Sequence, residues 1–231
     1  MRDISFPLKK FAENANQLKL ENSVIIRSVN KLWRDHYDED YIQSEAFMED
    51  VNQIVENDFV GLYQSSIISL YTYLETAIKD LILELIKYHT QKNTAQNIAE
   101  ISNINVSLIE YMALDEEQKL IYLTTNFEKQ QGGAAPYGIE RFEKLLKPFK
   151  LNGEINSAVK KSINELAQTR NNLIHKAGIV DKWFMKQCPW LYEKYKIGDK
   201  LIVNHSELEN WMDVTLGYCA DIEQRVQRNL P

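Results

Sequence analysis

A cation, an amide and an imidazole stand close together at Arg170, Asn171 and His175. Imidazole titrates near neutral pH, so it can take a proton or give one during a reaction. Guanidinium grips the oxygens of a phosphate ester through charge-assisted hydrogen bonds. The chemistry that suits this trio is cleavage of an RNA backbone, which needs proton transfer and a held phosphate but no metal ion.

Arg170 continues the apolar row Ile155, Val159, Ile163 and Leu166 at the roughly 100° per residue of a helix. Its charge is therefore expected to point toward the core or a partner. A buried cation without an anion is costly, so a carboxylate or phosphate should meet it. Glu75, within the apolar arc of another helix beside Tyr71, Leu74 and Ile78, is the expected interior partner. Such a pair can equally do no more than fix helix register. Asn171 and His175 are one helical turn apart, on a face adjoining that of Arg170, and all three are expected to line one cleft.

Other chemistries find no foothold. His36, His89, His175 and His205 are widely separated, and the chain has neither a His-x-x-x-His nor a Cys-x-x-Cys arrangement, so no metal site or cofactor is expected. Cys188 and Cys219 are read as free thiols in a reducing compartment. There is no Gly-x-Ser-x-Gly elbow and no Gly-x-Gly-x-x-Gly turn. The segment from Gln130 to Gly138 lacks the Gly-Lys-Ser/Thr ending of a phosphate loop and is expected to be a flexible connection.

Several helices must position these residues. The clearest spans about 59–88, where Val60, Ile67, Tyr71, Leu74, Ile78, Leu81 and Leu85 recur at three and four; being apolar on most sides, it should be central. The helix bearing Arg170 is expected over about 154–174, entered through Asn152 and Gly153. A last helix over about 207–229 follows a capping box of Ser206 and Glu209. Weaker patterns cover about 9–34, 41–56, 115–129 and 138–147. The only β signal, from Tyr195 to Val203 around Gly198 and Asp199, predicts a small hairpin or extended arm near 195–203. The fold class is all-α.

Hydrophobic residues at 44% and charged residues at 26% describe an ordinary globular chain, and no apolar run is long enough for a bilayer span. With no export signal at its start, the protein is expected in the cytoplasm, away from membranes. The net charge of −6 conceals an asymmetry: residues 141–200 hold 13 Lys or Arg against 6 Asp or Glu, a net +7 inside a chain that is otherwise −13. That stretch reads as a solvated surface or a phosphate-binding face. Directly after the trio, Trp183, Phe184, Trp190, Tyr192 and Tyr195 alternate with Lys182, Lys186, Lys194 and Lys196, a pattern fit to stack bases or to pack a lid.

The segment Arg170-Asn171-Asn172-Leu173-Ile174-His175 resembles the motif of the HEPN superfamily (higher eukaryote and prokaryote nucleotide-binding domains): Arg, a polar residue, then His after a short interval. Leu70 to Leu81, with Glu75, is similar to that superfamily's long acidic-residue helix. The resemblance covers about 59–230 and implies an up-and-down helical bundle over 59–231; it leaves unexplained the segment from Trp183 to Val203 and residues 1–58, which are expected to be a helical extension packed on the core. It implies a metal-independent endoribonuclease of the toxin or phage-defence kind, acting as a homodimer with the site at the interface, on RNA, and held in check by an antitoxin or other regulatory protein. By that analogy Arg170 binds the scissile phosphate, Asn171 orients the cleft, His175 is general base or acid, and Glu75 positions Arg170. Lys176, Lys182 and Trp183 are the residues expected to touch RNA. The alternative is a non-catalytic module of the same superfamily that binds RNA or a protein partner.

Overall fold

A computed structural model describes residues 4–38, 59–94, 97–132 and 138–229. The expected helix at 41–56 lies outside them, as do Gly133 to Tyr137 of the glycine-containing connection and the side chain of His36.

The described residues form an all-α bundle whose long members are α1 (Phe6–Asp38), α2 (Val60–Gln91), α7 (Ser157–Lys176) and α9 (His205–Asn229). Between α2 and α7 come α3 (Ala99–Ser102), α4 (Leu108–Met112), α5 (Glu116–Gly132) and α6 (Ile139–Leu146), and α8 (Lys182–Gln187) follows α7. Helix α5 carries Gln130 to Gly132, which are helical and not part of the flexible connection expected there.

Helix α2 is central because more than one stripe of it is apolar. Ile67, Leu70, Leu74, Ile78, Leu81, Ile82 and Leu85 are all fully buried, and α1, α5, α6, α7 and α9 pack around it. Leu8, Phe11 and Ala15 bring α1 into the same core, with Ile163, Leu166 and Ala167 from α7 and Leu208, Met212 and Ile222 from α9. Among the described residues no helix is long and apolar enough to cross a membrane.

Local chemistry sets the helix ends. Asn156 starts α7, its Oδ1 accepting from Ala158 N at 2.8 Å. The capping box at α9 lies two residues before the one expected from Ser206 and Glu209. Asn204 Oδ1 accepts from Glu207 N at 2.9 Å while Asn204 N donates to Glu207 Oε2 at 3.1 Å. Ser206 instead donates its hydroxyl to Asn204 Oδ1 at 2.8 Å.

The entrance to α7 is tied to α9 by a largely buried ion pair, with side chains 10% and 14% exposed. Arg225 Nη1 donates to Glu143 Oε1 at 3.0 Å and to the Leu151 carbonyl at 3.0 Å, and Glu143 Oε2 accepts from Gly153 N at 2.6 Å. A Cβ at Gly153 would lie 2.7 Å from Arg225 Cζ, so glycine lets the backbone approach the guanidinium.

The expected β element is an extended arm and not a hairpin. Among the described residues there is one isolated bridge, Ile179 with Lys200, and the arm pairs with the segment after α7: Val180 N donates to Asp199 O at 2.8 Å and Leu201 N to Gly178 O at 2.7 Å. The turn at Gly198 has φ 95°, where glycine is unstrained. This arm and α8 enclose a small second core of Val180, Phe184, Met185, Tyr195 and Leu201.

Candidate nucleic-acid interface

Helix α7 carries the site on its last two turns, and its geometry divides the trio. At about 100° per residue, Asn171 and His175 lie roughly 40° apart around the helix, while Arg170 and His175 lie roughly 140° apart. Arg170 accordingly faces α2 and is half-buried. Its Nη2 lies 3.7 Å from Glu75 Oε2, and its Cζ sits 5.7 Å from the centre of the Tyr71 ring. Glu75 is therefore the partner of Arg170, with side chains 24% and 22% exposed, so the pair is at the bundle edge and not in its interior.

Glu75 holds a second cation that sequence reading missed. Arg141 on α6 places Nη1 at 3.8 Å from Glu75 Oε1 and Nη2 at 3.8 Å from Glu128 Oε2, and Lys79 Nζ reaches Glu128 Oε2 at 3.8 Å. Three cations and two carboxylates thus alternate over α2, α5, α6 and α7. Arg141 gave no helical-spacing signal, because only the packing of α6 across α2 brings it there. Burial, with the Glu75 charge adding to it, pushes the Tyr71 phenol up, so this ring stays neutral beside the guanidiniums.

Asn171 joins the two faces of α7. Its Oδ1 accepts from Arg170 Nη1 at 3.0 Å, and the residue also lines a depression of about 180 Å³ on the His175 side. Gln168, Asn172, His175, Lys176, Trp183 and Phe184 line it too. Arg170 and Lys182 do not, so the single cleft expected for Arg170, Asn171 and His175 is not formed within the chain. Of the expected RNA contacts, Lys176 and Trp183 border the depression and Lys182 is exposed elsewhere. Trp183 is half exposed, and Lys186 Nζ sits 5.6 Å from its ring centre.

The depression exists because α7 stops abruptly. Ala177 adopts a left-handed conformation, φ 51° and ψ 32°, and Gly178 N donates back to Asn172 O at 3.2 Å. The chain then turns into α8, capped by Asp181 Oδ1 accepting from Phe184 N at 2.8 Å. Lys176 Nζ lies 3.8 Å from Asp181 Oδ2, bracing the rim. Asn172 Nδ2 donates to the Ile179 carbonyl at 2.9 Å, fixing the turn from beneath.

The aromatic and basic residues after the trio divide between both readings. Phe184 and Tyr195 are buried in the small core, and Trp190 Nε1 donates to Glu165 Oε2 at 2.9 Å. Trp183 and Tyr192 remain exposed. Gln168 was missed, although Gln168, Asn171, Asn172 and His175 recur at three and four and mark a polar stripe. Among the described residues no three His, Cys, Asp or Glu side chains gather into a metal-ligating group. Both cysteines are free and buried, and burial raises the Cys188 thiol to about 12.

A family model described as RiboL-PSP-HEPN matches residues 20–228, beginning inside α1. No curated protein and no solved structure matches the chain.

Proposed function

Because this chain belongs to the RiboL-PSP-HEPN family, we propose that it is an endoribonuclease that cuts RNA without a metal ion. The observation that carries this reading is the Glu75–Arg170–Asn171 chain of contacts, which holds a guanidinium at 3.7 Å and an amide at 3.0 Å on the helix that also carries an exposed His175. In the reaction the ribose 2′-oxygen attacks the adjacent phosphorus and gives its proton to an imidazole acting as base. The bond from phosphorus to the 5′-oxygen breaks, and that oxygen takes a proton from an acid. The products end in a 2′,3′-cyclic phosphate and a 5′-hydroxyl. Arg170 stabilises the extra charge of the phosphorane, which gains more from a fixed cation than the ground-state diester does.

Each chain supplies one imidazole of this motif, whereas the reaction needs a base and an acid. Pairing two copies about a two-fold axis with their α7 ends together supplies both. It also gives Arg170 and His175, which face different ways in one chain, a common substrate. An effector role in toxin or phage-defence systems, with an antitoxin as regulator, fits such an activity.

A second reading is a non-catalytic module that binds RNA or a protein. It is favoured by the engagement of Arg170 with Glu75, Tyr71 and Asn171 and by its absence from the lining of the depression. Incubating the protein and His175→Ala with RNA in the presence of a chelator separates the two. The ribonuclease reading expects cyclic-phosphate products from wild type alone. Unimpaired cutting by His175→Ala overturns the mechanism, and RNA retention with no product by either protein supports the binding module.

A further inference from the structure

Gln168 is 5% exposed and lines the depression; no protein group bonds its side-chain amide among the described residues, and the amide atoms are not sealed from solvent. Asn172, 4% exposed, lines it as well, with Nδ2 committed to Ile179 O and Oδ1 buried without a partner. Buried polar groups are ordinarily paired, and an unpaired amide costs free energy unless something supplies its bonds. The Gln168 amide, in the lining of the depression with no protein partner, is therefore open to pairing with a ligand edge, one helical turn from the sealed Asn172.

The walls say what kind of edge. Phe184 lines the depression but is fully buried in the small core, so the ring open to a ligand is the half-exposed Trp183. Stacking on such rings is available to any planar base. The depression, at about 180 Å³, is smaller than the roughly 300–1,000 Å³ of sites for drug-sized ligands, so it suits a flat fragment and not a whole nucleotide. His175 and Lys176 also line it, and offer an imidazole and a cation to a ribose and its phosphate.

We infer that the depression is a nucleobase pocket in which Gln168 sets base preference. A Gln amide presents one donor beside one acceptor and pairs bidentately with an amine next to a ring-nitrogen acceptor, as in adenine. Adenine and cytosine carry that edge; uracil, with a carbonyl in place of the amine, does not. The position of the scissile phosphate relative to this base rests on the ribonuclease reading. The pocket itself does not.

Equilibrium binding of rA8, rC8 and rU8 to His175→Ala tests it, because that variant keeps the oligonucleotides intact. His175→Ala is expected to hold rA8 or rC8 at least about tenfold more tightly than rU8, a difference of one good hydrogen-bonded pair. Adding Gln168→Met, which keeps the length and removes the amide, is expected to abolish that difference while leaving rU8 binding in place. Adding Trp183→Ala is expected to weaken all three by about fivefold or more. Cleavage-site mapping on wild type and Gln168→Met runs beside the binding, with melting temperatures checking that each variant folds. Wild-type cutting with base preference unchanged by Gln168→Met overturns the pocket and leaves the nuclease standing. Base-selective binding lost in Gln168→Met, with no cutting by wild type, keeps the pocket and overturns the nuclease. Equal affinity for the three oligonucleotides, or none for any, also overturns the pocket.

Discussion

Glu75 and Arg170 meet at 3.7 Å across α2 and α7, and the other oxygen of the same carboxylate lies 3.8 Å from Arg141. One anion thus restrains two guanidiniums that would otherwise repel each other. Because both members of the Glu75–Arg170 pair are about a quarter exposed, water screens the interaction.

Glu75→Ala is therefore expected to lower stability by about 1–2 kcal/mol, between exposed pairs and the roughly 3–5 kcal/mol of fully buried ones. Its effect on RNA cleavage should be larger than that loss explains, since Arg170 would no longer be held. Glu75→Gln, which keeps the volume but not the charge, should fall between. Thermal melts and cleavage rates of the two variants measure both effects; unchanged values for Glu75→Ala would remove Glu75 from any positioning role.

The two-fold arrangement predicts a mixing experiment. Arg170→Ala and His175→Ala should each be inactive, with loss of the imidazole alone costing about 10²–10⁴-fold. If a working cleft draws Arg170 and His175 from different chains, co-refolding the two variants should restore part of the activity. Light scattering at micromolar concentration should give twice the chain mass. A monomer that cuts RNA at full rate would exclude the shared cleft.

Ala177 ends α7 at φ 51°, a left-handed conformation that costs an L-residue with a Cβ roughly 1 kcal/mol relative to glycine. Ala177→Gly should raise stability by up to about that amount, offset in part by the greater entropy of glycine in the unfolded chain. Chemical denaturation reads the change. A clear loss of stability would show that the helix ends differently near His175.

Glu165 provides a pH test away from the site. Burial raises its carboxyl above the ordinary value, more than the Trp190 bond and the nearby Lys161 and Lys194 lower it, and Glu207 adds to the rise. The folded state therefore binds a proton between the unfolded and folded values that the unfolded state does not, so stability falls as pH rises through that window. Above the folded value wild type carries the full penalty. Glu165→Gln, which keeps an acceptor for Trp190 Nε1, should melt higher than wild type at pH 7, with the difference shrinking toward pH 4. A pH-independent difference would contradict the assignment to this carboxyl.

Periodicity alone determined much of the scaffold. The three long helices around 59–88, 154–174 and 207–229 were legible because each keeps an apolar face over many turns, and the class was all-α because only 195–203 broke that pattern. The motif from Arg170 to His175 was also legible, as was Glu75 as the partner of Arg170, since a cation on an apolar stripe requires an anion. Tertiary structure decided what those residues face. A helix turns about 100° per residue, so Arg170 and His175 diverge, and which neighbour each meets depends on how α2, α6 and α8 pack around α7. Arg141 entered the site through the placement of α6, and Gln168 became pocket lining only because the chain reverses at Ala177 and lays Phe184 and Trp183 beside it. Such contacts join residues distant along the chain, and no local spacing encodes them.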